Sequence, residues 1–133
     1  MSKVGFIGVG TMGFPMASNI LSKGNELKFY DPYVHDENKS KLENLGAQYC
    51  TSIKDLLDDR EFIITMLPNG NNVKDVCMGE DGLLKQNKKG YTHIDMSTIL
   101  PADSIAINKE FESHNIKMFD APVARLVSNA IDG

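Results

Sequence analysis

Three glycines near the amino terminus, Gly8, Gly10 and Gly13, have the spacing G-x-G-x-x-G. The motif follows an apolar run at residues 4–9 and leads into residues 12–22, whose larger apolar side chains recur at helical spacing. A glycine-rich turn between a buried strand and a helix presents backbone N–H groups at the positive end of the helix dipole. We therefore predict that this turn binds the pyrophosphate of a dinucleotide without a lysine.

The three glycines have different expected roles in such a turn. Gly8 allows the tight change from strand to helix, and Gly10 lets the backbone approach the pyrophosphate with no Cβ in the way. Gly13 allows the helix to pack closely on the strand. We expect a larger residue in place of Gly10 to abolish binding.

Asp31 follows Gly13 by eighteen residues and ends a second predicted strand at residues 26–31. A carboxylate at this position accepts hydrogen bonds from the hydroxyls of the adenosine ribose. A 2′-phosphate would meet its negative charge and find no arginine in residues 32–35. The sequence therefore predicts NAD rather than NADP, with the plainer alternative that Asp31 is only a turn residue before a proline.

Strand and helix patterns alternate along the rest of the chain. Further strands are predicted at residues 47–50, 61–67, 91–96 and 116–120, and further helices at residues 36–45, 53–57, 72–78 and 101–113. Such alternation indicates right-handed βαβ crossovers and an α/β fold with helices on both faces of a parallel sheet. We predict a Rossmann-like, doubly wound, three-layer αβα domain over residues 1–133.

Composition narrows the class of protein further. The chain has 133 residues, 41% hydrophobic and 24% charged, which is typical of one globular domain. A net charge of −4 favours neither nucleic acid nor an anionic membrane as a partner, and no apolar run approaches the roughly 18 residues of a spanning helix. Cys50 and Cys77 lie far apart with no metal-ligand spacing, so we expect reduced thiols, no metal site and a cytoplasmic protein.

Several separated segments resemble the β-hydroxyacid dehydrogenase family, which includes 3-hydroxyisobutyrate dehydrogenase. The segments are the GVGTMG turn at 8–13 with FPMA after it and Asn19, MLP at 66–68, DMST at 95–98 and DAPV at 120–123. They stand in the family's order and cover essentially the whole chain. The resemblance implies a cofactor domain of an NAD-dependent dehydrogenase.

The resemblance also implies a role for matching positions that follow predicted strands. Thr11 and Met12 would lie against the pyrophosphate. Leu67 and Pro68 would line the nicotinamide side, and Thr98 would contact the cofactor near the nicotinamide ribose. From the residues alone, Leu67 and Pro68 indicate only a strand end and a turn.

The chain departs from the family after the DAPV segment. Most members continue with Ser-Gly-Gly, which holds the substrate carboxylate, whereas this chain has Ala124, Arg125 and Leu126. An arginine here resembles the branch that contains sulfolactaldehyde reductase, which implies that Val123 and Arg125 contact a small anionic hydroxyacid or aldehyde. Arg125 offers a planar charged fork for a carboxylate, sulfonate or phosphate, with a solvated surface arginine as the alternative.

The family's proton donor is a lysine that the resemblance places beyond Gly133. It lies in a helical second domain, absent from this chain, that also closes the active site and builds a dimer. We therefore expect no catalytic residue among residues 1–133, and we expect this chain alone to bind NAD with little or no turnover. The parent enzyme is expected to be a homo-oligomer.

Three functions are compatible with these patterns. The first is the cofactor domain of an enzyme that transfers hydride between nicotinamide and a small 3-hydroxyacid or anionic aldehyde. The second is a non-catalytic NAD-binding module. The third is a site for another ligand such as S-adenosylmethionine, which is disfavoured because the turn at Thr11 to Gly13 serves phosphates that such a ligand lacks.

Overall fold

A six-stranded parallel sheet forms the centre of the molecule in a computed structural model, which describes residues 1–121. Its strands are β1 (Lys3–Ile7), β2 (Glu26–Tyr30), β3 (Gln48–Tyr49), β4 (Phe62–Thr65), β5 (Thr92–Asp95) and β6 (Met118–Asp120). Across the sheet their order is β3-β2-β1-β4-β5-β6, and every neighbouring pair is parallel. The predicted Rossmann-like α/β fold is confirmed.

Five helices and one short 3₁₀ turn connect the strands within the described residues. The helices are α1 (Gly13–Ser22), α2 (Asp36–Asn44), α3 (Ile53–Leu57), α4 (Gly70–Met78) and α5 (Pro101–Ser113), and the 3₁₀ turn is Leu83–Lys85. The sequence did not predict the 3₁₀ turn, because three residues are too few to show a period.

Several element boundaries lie one or two residues from the predicted ones, and the shifts at β1 and α4 have clear local reasons. Strand β1 ends at Ile7 because Gly8 adopts a left-handed φ of +97° and turns the chain. Helix α4 begins at Gly70, two residues before the predicted start. The Asn69 side chain accepts a hydrogen bond from the Asn72 N–H at 3.0 Å and caps the helix before its apolar spacing begins.

The core consists of two layers, one on each face of the sheet. On one face Phe6 and Leu27 pack with Ala17 of α1 and Leu42 of α2. On the other face Ile7, Ile63 and Leu56 pack with residues of α4 and α5, namely Val73, Cys77, Ile107 and Phe111. Alternate side chains of β1 serve opposite faces, so the two layers hold the central strand from both sides.

The connection from β3 to β4 creates the place where a ligand can bind. β3 lies at one edge of the sheet, and the chain then crosses to β4 on the far side of β1. Loops that follow β1 and β4 therefore leave the sheet in opposite directions. In open α/β sheets this switch point, at the carboxyl ends of the strands, forms the binding crevice.

Candidate dinucleotide-binding site

A cleft of about 870 Å³ lies at the carboxyl ends of β1, β2 and β4. It brings together eight of the predicted site residues, which are Gly8, Gly10, Thr11, Met12, Gly13, Asp31, Leu67 and Pro68. Thr98 is exposed after β5 and is not among the residues that line this cleft. Val123 and Arg125 lie outside the described residues.

Close packing around two glycines shapes the turn between β1 and α1. A Cβ on Gly8 would lie 2.2 Å from the Met66 carbonyl oxygen, and a Cβ on Gly13 would lie 1.8 Å from the Gly8 carbonyl oxygen. Neither position has room for a side chain. A Cβ on Gly10 would meet no heavy atom of the described residues within 4 Å, although Gly10 lines the cleft.

The start of helix α1 presents backbone N–H groups at the cleft. Its first helical hydrogen bond runs from the Phe14 N–H to the Gly10 carbonyl at 2.9 Å. The peptide groups of Thr11, Met12 and Gly13 precede that bond, and no side chain of residues 1–121 caps this helix end. Such N–H groups, with the positive end of the helix dipole, form an anion-binding site.

Asp31 is tied to the glycine turn by a contact that the sequence did not predict. Its Oδ2 accepts a hydrogen bond from the Val9 N–H at 3.0 Å, and its Oδ1 accepts one from the Tyr33 N–H at 2.9 Å. Val9 makes a second contact through its carbonyl, which accepts a hydrogen bond from the Asn38 side chain of α2 at 3.4 Å. The turn is thus held from β2 and from α2.

Negative charge dominates the part of the cleft around Asp31. The charged side chains lining the cleft in the described structure are carboxylates, with neither lysine nor arginine among them; they are Asp31, Asp75, Glu80 and Asp81. Burial raises the pKa of the Tyr30 phenol, and the nearby carboxylates of Asp31 and Asp81 add to that effect. Among the described lining residues, the groups suited to bind an anion are the backbone N–H groups at the start of α1.

A chain of buried polar residues runs beneath the other side of the cleft. It consists of His93, Thr65, Asp95 and Ser97, which we call the buried polar chain, and each member is at most 3% exposed. His93 Nε2 lies 2.9 Å from Thr65 Oγ1, which donates to Asp95 Oδ1 at 2.9 Å. The Ser97 N–H donates to the same oxygen at 3.1 Å, and Ser97 Oγ accepts from the Leu67 N–H at 2.8 Å.

Burial keeps the His93 ring of the buried polar chain uncharged. It lowers the pKa of His93 to about 3, so the ring is neutral near pH 7. Since the Thr65 hydroxyl donates its one proton to Asp95, His93 must donate from Nε2. Its Nδ1 has no hydrogen-bond partner within residues 1–121. Burial raises the pKa of Asp95, and hydrogen bonds from Ser97 and Thr65 oppose that rise.

The buried polar chain has a partial signal in the sequence. His93 and Asp95 are two residues apart in β5 and therefore share one face of the strand. Thr65, at the end of β4, is the register partner of Asp95. Polar residues on one face of a central strand require partners in the neighbouring strand, but the register that pairs them is not visible in the sequence.

The described structure shows no metal-binding or membrane-spanning features within residues 1–121. Residues 1–121 contain no group of three or more His, Cys, Asp or Glu side chains arranged to hold a metal ion. Within the same residues, every helix is too short or too polar to cross a bilayer. The cleft remains the main candidate site.

The strand order, the glycine turn and the acidic residue after β2 together define a dinucleotide-binding α/β domain. Comparison with protein families gives a more specific result. The chain belongs to the family of NAD-binding domains of 6-phosphogluconate dehydrogenase, whose family model matches residues 3–133.

Individual relatives agree with this assignment. The chain is 40% identical over 133 residues to 3-sulfolactaldehyde reductase of Escherichia coli (strain K12), covering 100% of this chain and 44% of the relative. It is 41% identical over 130 residues to human mitochondrial 3-hydroxyisobutyrate dehydrogenase, covering 98% of this chain and 38% of the relative. The resemblance stated from the sequence is confirmed, and the chain spans less than half the length of these relatives.

A solved structure matches the whole described fold. The structure of Mycobacterium tuberculosis 3-hydroxyisobutyrate dehydrogenase with L-serine has a TM-score of 0.87 and 30% sequence identity to this chain. The match covers 99% of this chain and 44% of that chain.

Proposed function

We propose that the cleft binds NAD in an extended form across the carboxyl ends of the strands. The pyrophosphate lies over the turn from Gly8 to Gly13, against Thr11 and Met12, and the adenosine ribose lies at Asp31. The nicotinamide half lies on the opposite side of the cleft. Leu67 and Pro68 line that half, and Thr98 contacts the cofactor near the nicotinamide ribose.

The open space at Gly10 is the observation that carries this proposal. Gly8 and Gly13 are packed against backbone atoms, whereas Gly10 lines the cleft and a Cβ there would meet no heavy atom of the described residues within 4 Å. A missing side chain at this point lets a phosphate approach the N–H groups at the start of α1. The residues present therefore fit the pyrophosphate group.

The carboxylates around Asp31 support NAD as the preferred cofactor. A 2′-phosphate on the adenosine ribose would face Asp31 directly, with Asp75, Glu80 and Asp81 lining the same cleft. Without a lysine or arginine among the described lining residues, that phosphate has no cation to pair with. The ribose hydroxyls of NAD can instead donate hydrogen bonds to Asp31.

Titration with NADH tests binding directly. The nicotinamide fluorescence should change saturably as the chain is added, and NAD⁺ should reverse the change. A signal that NAD⁺ does not displace contradicts the proposal. Asp36→Asn, on the exposed first turn of α2, is a suitable control because it removes a carboxylate outside the cleft.

In a protein of the length of its relatives, we propose that this domain serves an NAD-dependent oxidoreductase of the 3-hydroxyacid class. The substrate is a small 3-hydroxyacid, similar to 3-hydroxyisobutyrate, or an anionic aldehyde such as sulfolactaldehyde. Bound NAD supplies the hydride acceptor or donor, and the residues of this chain bind and orient it. The names of the two relatives support this substrate class.

Val123 and Arg125 are the residues that we propose contact the substrate. The guanidinium of Arg125 pairs with the anionic head group, which a lysine matches less well because it lacks the planar fork. In the whole protein, Arg125→Ala should raise the KM for an anionic aldehyde severalfold, and Arg125→Lys should raise it less. An unchanged KM for Arg125→Ala contradicts the assignment.

A panel of substrates tests the activity itself. The whole protein is assayed with NAD⁺ against 3-hydroxyacids and against their sulfonate and phosphate analogues. Turnover confined to one head group identifies the substrate class, and no turnover with any of them contradicts the proposed activity. The lysine beyond Gly133, the helical second domain, the homo-oligomer and the cytoplasmic location stay predictions.

A further inference from the structure

The loop that follows β4 is held by a side chain rather than by the sheet. The Met66 N–H makes the final ladder bond of this region, to the Ile7 carbonyl at 3.0 Å. The next N–H, that of Leu67, donates to Ser97 Oγ at 2.8 Å. Ser97 thus holds the loop where the backbone ladder stops.

Ser97 is itself oriented by the buried polar chain. Its N–H donates to Asp95 Oδ1 at 3.1 Å, which holds the Ser97 backbone against the carboxylate. The Ser97 hydroxyl oxygen has lone pairs, and one of them accepts the Leu67 N–H at 2.8 Å. Ser97 is only 3% exposed, and a hydrogen bond in the protein interior is stronger than one in water.

The other end of the buried polar chain anchors Asp95 in the sheet. Thr65 on β4 donates to Asp95 at 2.9 Å, and the neutral His93 ring fixes Thr65 from β5. The His93 ring in turn packs against Phe111 of α5, with 4.6 Å between the ring centroids. The Leu67 backbone is therefore connected to the protein core by the four side chains of the buried polar chain.

We propose that Ser97 is a positioning residue that fixes the Leu67–Pro68 loop against the nicotinamide half of the cofactor. The inference rests on the proposed placement of the nicotinamide beside this loop. Asp31 and the glycine turn lie on the other side of the cleft and are held by separate hydrogen bonds, to Val9. Loss of the Ser97 contact should therefore affect the two halves of the cofactor differently.

Two ligands separate the halves experimentally. ADP-ribose carries the adenosine, the pyrophosphate and the second ribose but lacks the nicotinamide ring, whereas NADH also carries that ring. For Ser97→Ala we expect the Kd of NADH to rise by about fivefold or more, because the Leu67 N–H loses its acceptor and the loop moves. The Kd of ADP-ribose should stay within about twofold of wild type. Bound NADH should also lose part of its fluorescence change.

Two further variants make the test specific. Ser97→Thr keeps the hydroxyl and should restore most of the NADH affinity. Ser113→Ala removes an exposed serine hydroxyl at the end of α5, outside the cleft, and should change neither Kd.

Other results of these titrations would contradict either the role of Ser97 or the proposed function. Equal weakening of ADP-ribose and NADH by Ser97→Ala overturns the inference, because Ser97 would then support the whole domain. Unchanged NADH affinity, or no recovery with Ser97→Thr, overturns it as well. If wild-type protein binds neither ligand, the proposed function itself fails.

Discussion

The Asp31 carboxylate accepts a hydrogen bond from the Val9 N–H at 3.0 Å, and so the residue after β2 holds the turn after β1. The glycine turn and the acidic residue are separate features of the sequence motif, and this hydrogen bond connects them. Asp31 is half-buried and still lines the cleft. One carboxylate can therefore shape the pyrophosphate site and select the ribose.

Asp31→Asn should separate these two roles. The amide oxygen of asparagine can still accept the Val9 N–H, while its NH₂ group cannot accept from the exposed Tyr33 N–H, so we expect the free energy of unfolding to fall by about 1 kcal/mol. Loss of the negative charge should raise the affinity for NADP⁺ relative to NAD⁺ by about tenfold. Calorimetric Kd values for both cofactors give the ratio. A ratio equal to that of the Asp36→Asn control would refute the role of Asp31 in selectivity.

Asn38 should have a smaller effect through the same turn. Asn38→Ala removes the hydrogen bond to the Val9 carbonyl, whose 3.4 Å length indicates a weak interaction. We expect NAD⁺ to bind about two- to threefold more weakly than with the Asn44→Ala control, which makes the same helix-favouring change in α2. Equal Kd values for the two variants would show that Asn38 does not help to hold the turn.

Alanine at two positions of the glycine motif should give opposite phenotypes. Gly13→Ala places a Cβ where it would lie 1.8 Å from the Gly8 carbonyl oxygen, so helix α1 must move away from β1. We expect a loss of about 3 kcal/mol or more in the free energy of unfolding. Gly10→Ala meets open space, so its stability should stay within about 1 kcal/mol of wild type.

The second half of this prediction concerns NAD⁺ binding by the Gly10→Ala variant. Gly10→Ala should weaken NAD⁺ binding by at least about tenfold, because its methyl group occupies the approach of the pyrophosphate. Urea unfolding gives the stability, and calorimetry gives the Kd. A Gly10→Ala protein that is stable and binds NAD⁺ as wild type does would place the pyrophosphate elsewhere.

His93 should make the fold sensitive to acid. Its pKa falls from the usual 6.5 to about 3 in the folded protein, so the unfolded chain binds the extra proton first as the pH falls. Between about pH 7.5 and about pH 5 this should cost about 2 kcal/mol of the free energy of unfolding. The raised pKa of Asp95 contributes with the opposite sign, because the folded protein then binds a proton more readily than the unfolded chain.

A glutamine at position 93 isolates the histidine contribution. His93→Gln keeps an N–H donor for Thr65 and cannot titrate, so its urea midpoint should depend less on pH than that of wild type. The same pH dependence in both proteins would mean that His93 is not the group that titrates.

The fold was predictable because each element carries its own local pattern. The glycine turn, the apolar run of β4 and the Pro101 start of α5 are all visible within about ten residues of sequence. The contacts that hold the site are not local. Asp31 meets Val9 across 22 residues and Ser97 meets Leu67 across 30, and such pairs depend on the strand order and register of the sheet.

The acidic character of the cleft was only partly predictable. Asp31 follows from its distance to the glycine motif, whereas Asp75, Glu80 and Asp81 come from helix α4 and the loop after it. In the sequence these three look like ordinary surface carboxylates. Only the strand order, which puts β2 and β4 on either side of β1, brings the segments that follow these two strands to the same cleft.

Isothermal titration of the chain with NAD⁺ and with NADP⁺ tests the central claim most directly. We predict one NAD⁺ per chain, bound at least about tenfold more tightly than NADP⁺, because the cleft offers backbone N–H groups for the pyrophosphate and carboxylates at the ribose. Absence of NAD⁺ binding, or equal or tighter binding of NADP⁺, would contradict the account.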